Sequence, residues 1–151
     1  MSKFVIISLI VFITGSFAGN PDSSGQKEKN AVSENDTLVV DARLMEIPGT
    51  MPPNDLYDYV YVMKYRIMKV ENGEYDSQEI LVGHYNPLVP RRLIKDRMKS
   101  VVKGTVEKFE RGAKHKLILV PLEHVWDDAV ENEYFDSGLP VYFALTADKK
   151  S

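Results

Sequence analysis

Two stretches of the chain place side chains on alternating faces, a period of two that is typical of β-strands. In the first, Leu38, Val40, Ala42 and Leu44 share one face. Met45 and Ile47 then change phase, which predicts a bulge or a strong bend. The second stretch, 57–70, is rich in tyrosine and β-branched residues, and this composition favours a strand over a helix. One of its faces carries Tyr59, Tyr61, Met63, Tyr65 and Ile67.

Turn-forming residues divide the rest of the chain into further elements. Asn72-Gly73 predicts a hairpin turn that leads into a strand over 78–85. Pro90, together with the helical spacing of Leu93, Ile94, Arg97 and Met98, predicts a short helix within 90–100. A second hairpin is predicted over 101–122, with its turn at Arg111-Gly112, and a closing strand over 140–147.

This order of elements predicts a mainly β fold: an OB-like Greek-key barrel of five to six strands, with one short helix between strands 3 and 4. In element order the chain resembles the exported netrin- and TIMP-type domains, although the disulfides usual there are missing. The fragments VENGEY (70–75) and ILVGHY (80–85) resemble a family of small exported β domains associated with bacterial surface-polysaccharide O-acetyltransferase systems. That resemblance implies an accessory role and carries no catalytic assignment.

The N-terminal residues have the composition of an export signal. An apolar stretch over 4–13 follows Lys3, and Ser16-Phe17-Ala18 supplies the small residues of a cleavage site. We therefore predict a signal peptide over 1–18 and a polar linker over 19–36. The β-barrel domain is predicted over 37–148, followed by a tail over 149–151. The expected product is an exported protein, periplasmic or secreted, without a transmembrane segment in the mature chain.

The composition of the chain excludes several kinds of functional site. The 151 residues include no Cys, which excludes a cysteine nucleophile, a thiolate metal site and a disulfide framework. The formal net charge of −3 conceals a basic stretch over 91–116, with ten basic and three acidic residues, and an acidic stretch over 123–136 with six acids. One interpretation is a basic surface that attracts an anionic partner; the other is two solvated faces that neutralise each other across the barrel. The predicted members of the basic surface are Arg91, Arg92, Arg97, Lys99 and Arg111.

The remaining candidates are histidines, aromatic residues and acids. His84 and Tyr85, at a predicted strand end, could contact a ligand from an exposed loop, whereas His115 is expected in a solvated hairpin. Trp126 could contact a carbohydrate or simply pack over the barrel end. A weak metal candidate combines His124, Asp127, Asp128 and Glu131, because Ca²⁺ prefers oxygen ligands at such density; no EF-hand pattern is present.

Motifs of the common enzyme classes are missing: the sequence has no Gly-x-Ser-x-Gly, Walker, His-Glu-x-x-His or Gly-rich dinucleotide motif. We therefore expect a non-enzymatic binding or accessory domain without a cofactor, and we assign no catalytic residue. Its partner would be an envelope protein or an anionic polysaccharide rather than a nucleic acid. The alternative is a small metal-dependent or hydrolytic enzyme using His84 or the segment His124–Asp128.

Overall fold

The structure is a computed structural model and describes residues 36–151. The predicted signal peptide, 1–18, and the predicted linker as far as residue 35 lie outside the described residues. Short 3-10 turns cover Arg91–Leu93, Leu122–His124 and Phe135–Ser137. The strands are β1 (Leu38–Glu46), β2 (Val60–Asn72), β3 (Glu79–Tyr85), β4 (Lys103–Gly104), β5 (Lys114–Pro121), β6 (Val130–Glu131) and β7 (Val141–Lys150).

The five longer strands close into a barrel in the order β1-β5-β7-β3-β2, and β2 pairs again with β1. All neighbours in this ring are antiparallel except β3 and β7, which run parallel. The predicted OB-like barrel is therefore confirmed. The two-residue strands lie outside the ring: β4 pairs with β7, and β6 pairs with the beginning of β2.

Strand β1 belongs to both edges of the closure, because it pairs with β2 on one side and β5 on the other. Its register with β2 shifts three times, and the last shift falls between Leu44 and Glu46. This is where the sequence changes phase, so the predicted bulge is confirmed. Bulges increase local twist and bend, which lets one strand follow the curvature of a small barrel.

The barrel interior is filled by the faces that the alternation predicted. Leu38, Val40, Ala42 and Leu44 are buried on β1. Tyr59, just before β2, and Tyr61, Met63 and Tyr65 on β2 are buried as well. The tyrosines therefore serve as core residues and offer no exposed platform for stacking bases. A hairpin joins β2 to β3 as predicted, with Gly73 at φ +86° in the connection.

A second apolar cluster lies between the outer face of the barrel and the connection 90–102. It consists of Val60, Tyr85, Ile94, Met98, Val102, Val120, Trp126 and Phe143. Each β3 residue from Ile80 to Tyr85 is buried, because one face of the strand points into the barrel and the other contacts this cluster. The cluster explains why the connection after β3 folds back against the barrel.

The short helix predicted within 90–100 is shorter than expected. Only Arg91–Leu93 form a 3-10 turn, and Ile94 leaves it with an extended backbone (ψ 113°). Asp96 then accepts a hydrogen bond from the backbone N–H of Met98 through Oδ1, at 2.8 Å. Such local side-chain bonds compete with the helical ladder, and only Ile94 and Met98 of the predicted apolar side are buried.

Two strand boundaries also differ from the prediction. Residues 101–109 do not form a hairpin with β5; their strand, β4, covers only Lys103–Gly104 and runs parallel to β7. Strand β7 continues through Lys150, so Lys149 and Lys150 of the predicted tail pair with β5. Between residues 36 and 151, no helix has both the length and the apolar character needed to cross a bilayer.

Gly104 tests the contact between β4 and β7. Its φ is +135°, and a Cβ there would lie 2.0 Å from the carbonyl oxygen of Ala147. Because that atom belongs to the backbone, no side-chain rotation relieves the clash. We expect Gly104→Ala to lower the free energy of unfolding by about 3 kcal/mol or more.

Gly112→Ala is the matched control, because Gly112 also has positive φ (+87°) but nothing lies within 4 Å of its Cβ position. It should lose only about 1–2 kcal/mol, the cost of left-handed backbone for an L-residue. Urea unfolding of both variants decides the point. Equal losses would show that the β4–β7 approach is looser than described.

Candidate functional site

Arg91, the first member of the predicted basic surface, lies inside the protein. It is 2% exposed, and its Nη2 donates to the carbonyl oxygens of Asn86 and Val89, both at 2.8 Å. Its guanidinium carbon lies 5.3 Å from the centroid of the Phe109 ring. Arg91 therefore cannot meet a partner at the surface of the barrel, which corrects the sequence-based placement.

Arg92 and Arg97 are exposed, but both are paired with acids. The Arg92 Nε lies 2.5 Å from Oε1 of Glu107. Arg97 Nη2 lies 3.5 Å from Oδ2 of Asp128, and its Nε lies 3.9 Å from Oδ2 of Asp58. These carboxylates offset the positive charge that the linear sequence concentrates in this stretch.

Lys99 and Arg111 form no ion pair with the described residues 36–151. Lys99 is exposed on the connection after β3. The Arg111 Nε donates to the carbonyl oxygen of Met45 at 3.3 Å, which places Arg111 beside the end of β1. The five predicted basic residues therefore do not form one surface.

Trp126 and Tyr85 pack in the second apolar cluster. The two rings meet edge to face, with centroids 5.3 Å apart, and the Trp126 indole N–H donates to the carbonyl oxygen of Ala129 at 3.0 Å. The Tyr85 hydroxyl donates to Asp96 at 2.8 Å, and the Arg97 guanidinium lies over the indole ring at 5.0 Å. Since Trp126 is 6% exposed and its N–H is satisfied, packing accounts for it.

The acidic candidates are spread over separate contacts. Glu131 accepts a hydrogen bond from the Tyr57 hydroxyl at 2.7 Å, whereas Asp128 lies beside Arg97. His124 and Asp127 are both exposed. Among residues 36–151, no group of three His, Asp or Glu side chains comes close enough to hold a metal ion. The proposed set of His124, Asp127, Asp128 and Glu131 is therefore not brought together.

His84 does not lie in an exposed loop but in the barrel interior, where it shares one tyrosine with His115. The Tyr65 hydroxyl lies 2.9 Å from Nε2 of His84 and 3.0 Å from Nδ1 of His115. All three side chains are at most 1% exposed, so the prediction of a solvated His115 is wrong as well. We call these residues the His–Tyr–His chain.

One hydroxyl hydrogen cannot be donated to two nitrogens, so the two histidines play opposite roles. Tyr65 donates to one ring and accepts an N–H from the other. Either both rings carry hydrogen on Nδ1, or both carry it on Nε2. In both arrangements the rings are neutral and Tyr65 is protonated, so the chain holds no net charge in the closed barrel.

Burial keeps these groups in their neutral forms. Desolvation lowers the pKa of His84 well below its usual value, and the nearby Arg91 adds to that effect. Burial lowers the pKa of His115 to about 4. The same desolvation raises the pKa of Tyr65 well above its usual range. His84 thus cannot act as a general base on a substrate in solvent unless the barrel opens.

A row of cations that the sequence did not predict crosses the outside of the barrel. Arg66 on β2 pairs in register with Arg43 on β1, which in turn pairs with Lys114 on β5. Lys114 pairs with Lys150 on β7. We call Arg66, Arg43 and Lys114 the basic row; Lys150 ends it but is bonded to Asp41.

Period-two phase was the signal that could have located the buried histidines. His84 has the same period-two phase as Ile80 and Val82, and His115 has the same phase as Leu117 and Leu119. Each histidine therefore lies on the face of its strand that points into the barrel. The basic row had no such signal, because its three members come from strands far apart in sequence. Only the strand register brings them together.

Comparison of the chain with models of protein families, with curated proteins and with solved structures gave no match. The site must therefore be interpreted from its own geometry.

Replacing Tyr65 with Phe removes the only hydroxyl that joins the two histidines. Each ring then loses the hydrogen bond to Tyr65 in a dry interior, and we expect a loss of about 1–3 kcal/mol in the free energy of unfolding. Tyr142→Phe is the control, because Tyr142 is partly buried and packs against Tyr75. It should change stability by less than about 0.5 kcal/mol. Similar losses in the two variants, measured by urea unfolding, would contradict a structural role for the chain.

The stability of the barrel should fall as the pH falls below about 6.5. The pKa of each buried histidine is lower in the folded state than the unfolded value near 6.5, so unfolding takes up protons there. The loss continues to about pH 4 for His115. Each histidine adds a slope of at most about 1.4 kcal/mol per pH unit.

Carboxylates also contribute to that slope, so a matched pair of variants isolates the histidine part. His115→Gln should reduce the slope of unfolding free energy against pH between pH 4.5 and 6. The reduction should correspond to roughly one proton taken up on unfolding, as measured by urea unfolding at several pH values. His124→Gln should leave it unchanged, because His124 is exposed. An unchanged slope in His115→Gln would exclude a protonation role for the buried ring.

Proposed function

We propose that this chain is an exported, non-enzymatic binding domain that recognises an anionic polysaccharide of the cell envelope through the basic row. The observation that carries the proposal is the register of three strands. Directly opposed residues of antiparallel strands lie on the same face, with neighbouring strands about 4.8 Å apart. Arg66, Arg43 and Lys114 therefore form a line of positive charge across the barrel.

Such a row is unfavourable for folding by itself. Like charges placed directly opposite each other destabilise a sheet, and the row contains two such pairs in succession. Within residues 36–151, none of Arg66, Arg43 and Lys114 forms an ion pair with a carboxylate. Glu79 lies opposite Arg66 on β3, at the end of the row. An external polyanion would supply the missing negative charge.

Arg111 lies beside the basic row, next to its middle member on β1. The backbone N–H of Leu44 donates to the carbonyl oxygen of Ala113, and the N–H of Gly112 donates to the carbonyl oxygen of Leu44. These bonds hold the turn that contains Arg111 against β1, one residue from Arg43. We therefore include Arg111 in the proposed anion-binding surface, whose other members come from different strands.

The linear arrangement of the charges favours an extended polymer over a compact partner. The resemblance of residues 70–85 to domains of polysaccharide O-acetyltransferase systems supports the same class of ligand. With the predicted signal peptide, these features support an accessory protein that holds or orients a charged glycan outside the cytoplasm. An acidic protein partner is the competing outcome that the experiment must separate.

The test is the double variant Arg43→Gln/Lys114→Gln, with alginate as the anionic polysaccharide probe and dextran as the neutral one. Removing two cations of the basic row should weaken alginate binding about tenfold, and wild-type binding should weaken as salt is added. The free energy of unfolding should stay equal or rise by a few tenths of a kcal/mol, because the like-charge pairs are relieved. Binding and stability therefore move independently, as a binding role requires.

Lys95→Gln/Lys99→Gln is the matched control, since it removes the same charge from the connection after β3 and should bind alginate like the wild type. If the control variant loses alginate binding and the double variant does not, the anion-binding site lies in the basic stretch over 91–116, and the basic row is excluded. Equal affinity of the wild type for dextran and alginate would contradict the proposal. So would binding only to acidic envelope proteins, or tighter binding to a single-stranded oligonucleotide than to alginate.

A further inference from the structure

Arg91 is a buried cation without a counter-ion. Its Nε and both hydrogens of Nη1 have no hydrogen-bond partner, and only Nη2 is used, by two carbonyl oxygens. No carboxylate of residues 36–151 forms an ion pair with it. A buried charge is normally paired, because removing it from water costs several kcal/mol. The position therefore lacks an anion.

A second unpaired group lies against the same aromatic ring. His84 Nδ1 is buried without a partner, while its Nε2 is used by Tyr65. The His84 ring lies 4.2 Å from Phe109, centroid to centroid, and the Arg91 guanidinium carbon lies 5.3 Å from the same centroid. Phe109 thus covers two polar groups that have unused hydrogen-bonding capacity.

Phe109 also lines a groove at the surface. The groove has a volume of about 250 Å³, and its apolar lining consists of Met51, Pro87, Leu88 and Phe109. Glu107 and Lys108 complete it, and both form ion pairs with neighbours, Arg92 and Glu110. Phe109 thus belongs both to the lining of this groove and to the surroundings of the buried guanidinium.

We propose that this groove binds a small aliphatic carboxylate, whose charged end becomes the counter-ion of Arg91. An aliphatic tail would contact Met51, Pro87 and Leu88. The carboxylate would accept hydrogen bonds from the free nitrogens of Arg91, the strongest type of pairing available to a guanidinium. Access requires the Phe109 ring to turn away from Arg91. The site is independent of the basic row, which lies on the outer face of β2, β1 and β5.

The chain holds Arg91 ready for such a ligand. Asn86, whose carbonyl oxygen accepts from Arg91, has a positive φ of 36°, and its side chain bonds Asp58 and the N–H of Tyr59. Asparagine tolerates this conformation better than most residues. The guanidinium is thus oriented by a fixed backbone, which lowers the entropic cost of binding an anion.

The experiment measures thermal unfolding of the full chain in the presence of octanoate or of octan-1-ol at equal concentrations. At ten times Kd, octanoate should raise the melting temperature by roughly 5 °C, and octan-1-ol should raise it much less. Arg91→Met should abolish the octanoate effect. Lys95→Met, which removes an exposed cation from the same connection, should retain it.

Because Arg91→Met could fail to fold, a second measurement uses the wild type alone. The ¹⁵N resonance of Arg91 Nε and the ring resonances of Phe109 should shift on titration with octanoate and not with octan-1-ol. Equal stabilisation by the alcohol, an unshifted Arg91 resonance in the octanoate complex, or no octanoate binding would each overturn the proposal. Retained octanoate binding in a folded Arg91→Met would overturn it too.

Discussion

The structure depends on β1 pairing along both of its edges. That strand joins β2 to β5, so it converts a curved sheet into a closed barrel with no free edge in the ring. The bulges along β1 make this double pairing possible, because a flat strand could not follow both neighbours. Closure has one consequence inside and one outside: it creates a dry interior, and it places Arg43 between Arg66 and Lys114.

Inside the closed barrel, a polar group needs a hydrogen-bond partner. Without one it lowers the stability of the fold, because it has been removed from water. The His–Tyr–His chain meets part of that demand by sharing one hydroxyl between two neutral rings, at Nε2 of His84 and Nδ1 of His115. Arg91 and the free nitrogen of His84 do not meet it, and both lie against Phe109. The contrast is informative, because the Tyr65 hydroxyl is used by both rings, whereas the polar groups against Phe109 lack a partner.

Much of the fold was predictable from local patterns, whereas most of the site was not. Period-two alternation located β1 and β2, the Asn72-Gly73 turn located the start of β3, and the phase change at Met45 located the bend, because these features are encoded by neighbouring residues. Most of the helix predicted within 90–100 does not form, because Asp96 bonds the local backbone and only two apolar residues of the segment pack against the barrel. The burial of Arg91 depends on Phe109, eighteen residues further along, and no local pattern encodes that contact.

The arrangement of charged residues was also not predictable from local sequence. The sequence groups basic residues over 91–116 and acids over 123–136, yet folding brings Arg97 to Asp128 and so cancels part of both groups. The row that keeps its charge is built from Arg43, Arg66 and Lys114, which no sequence window contains together. Strand register decides which charges are neutralised and which remain open. For a small barrel, the pairing of strands is therefore a better guide to an anion-binding surface than the density of lysine and arginine along the chain.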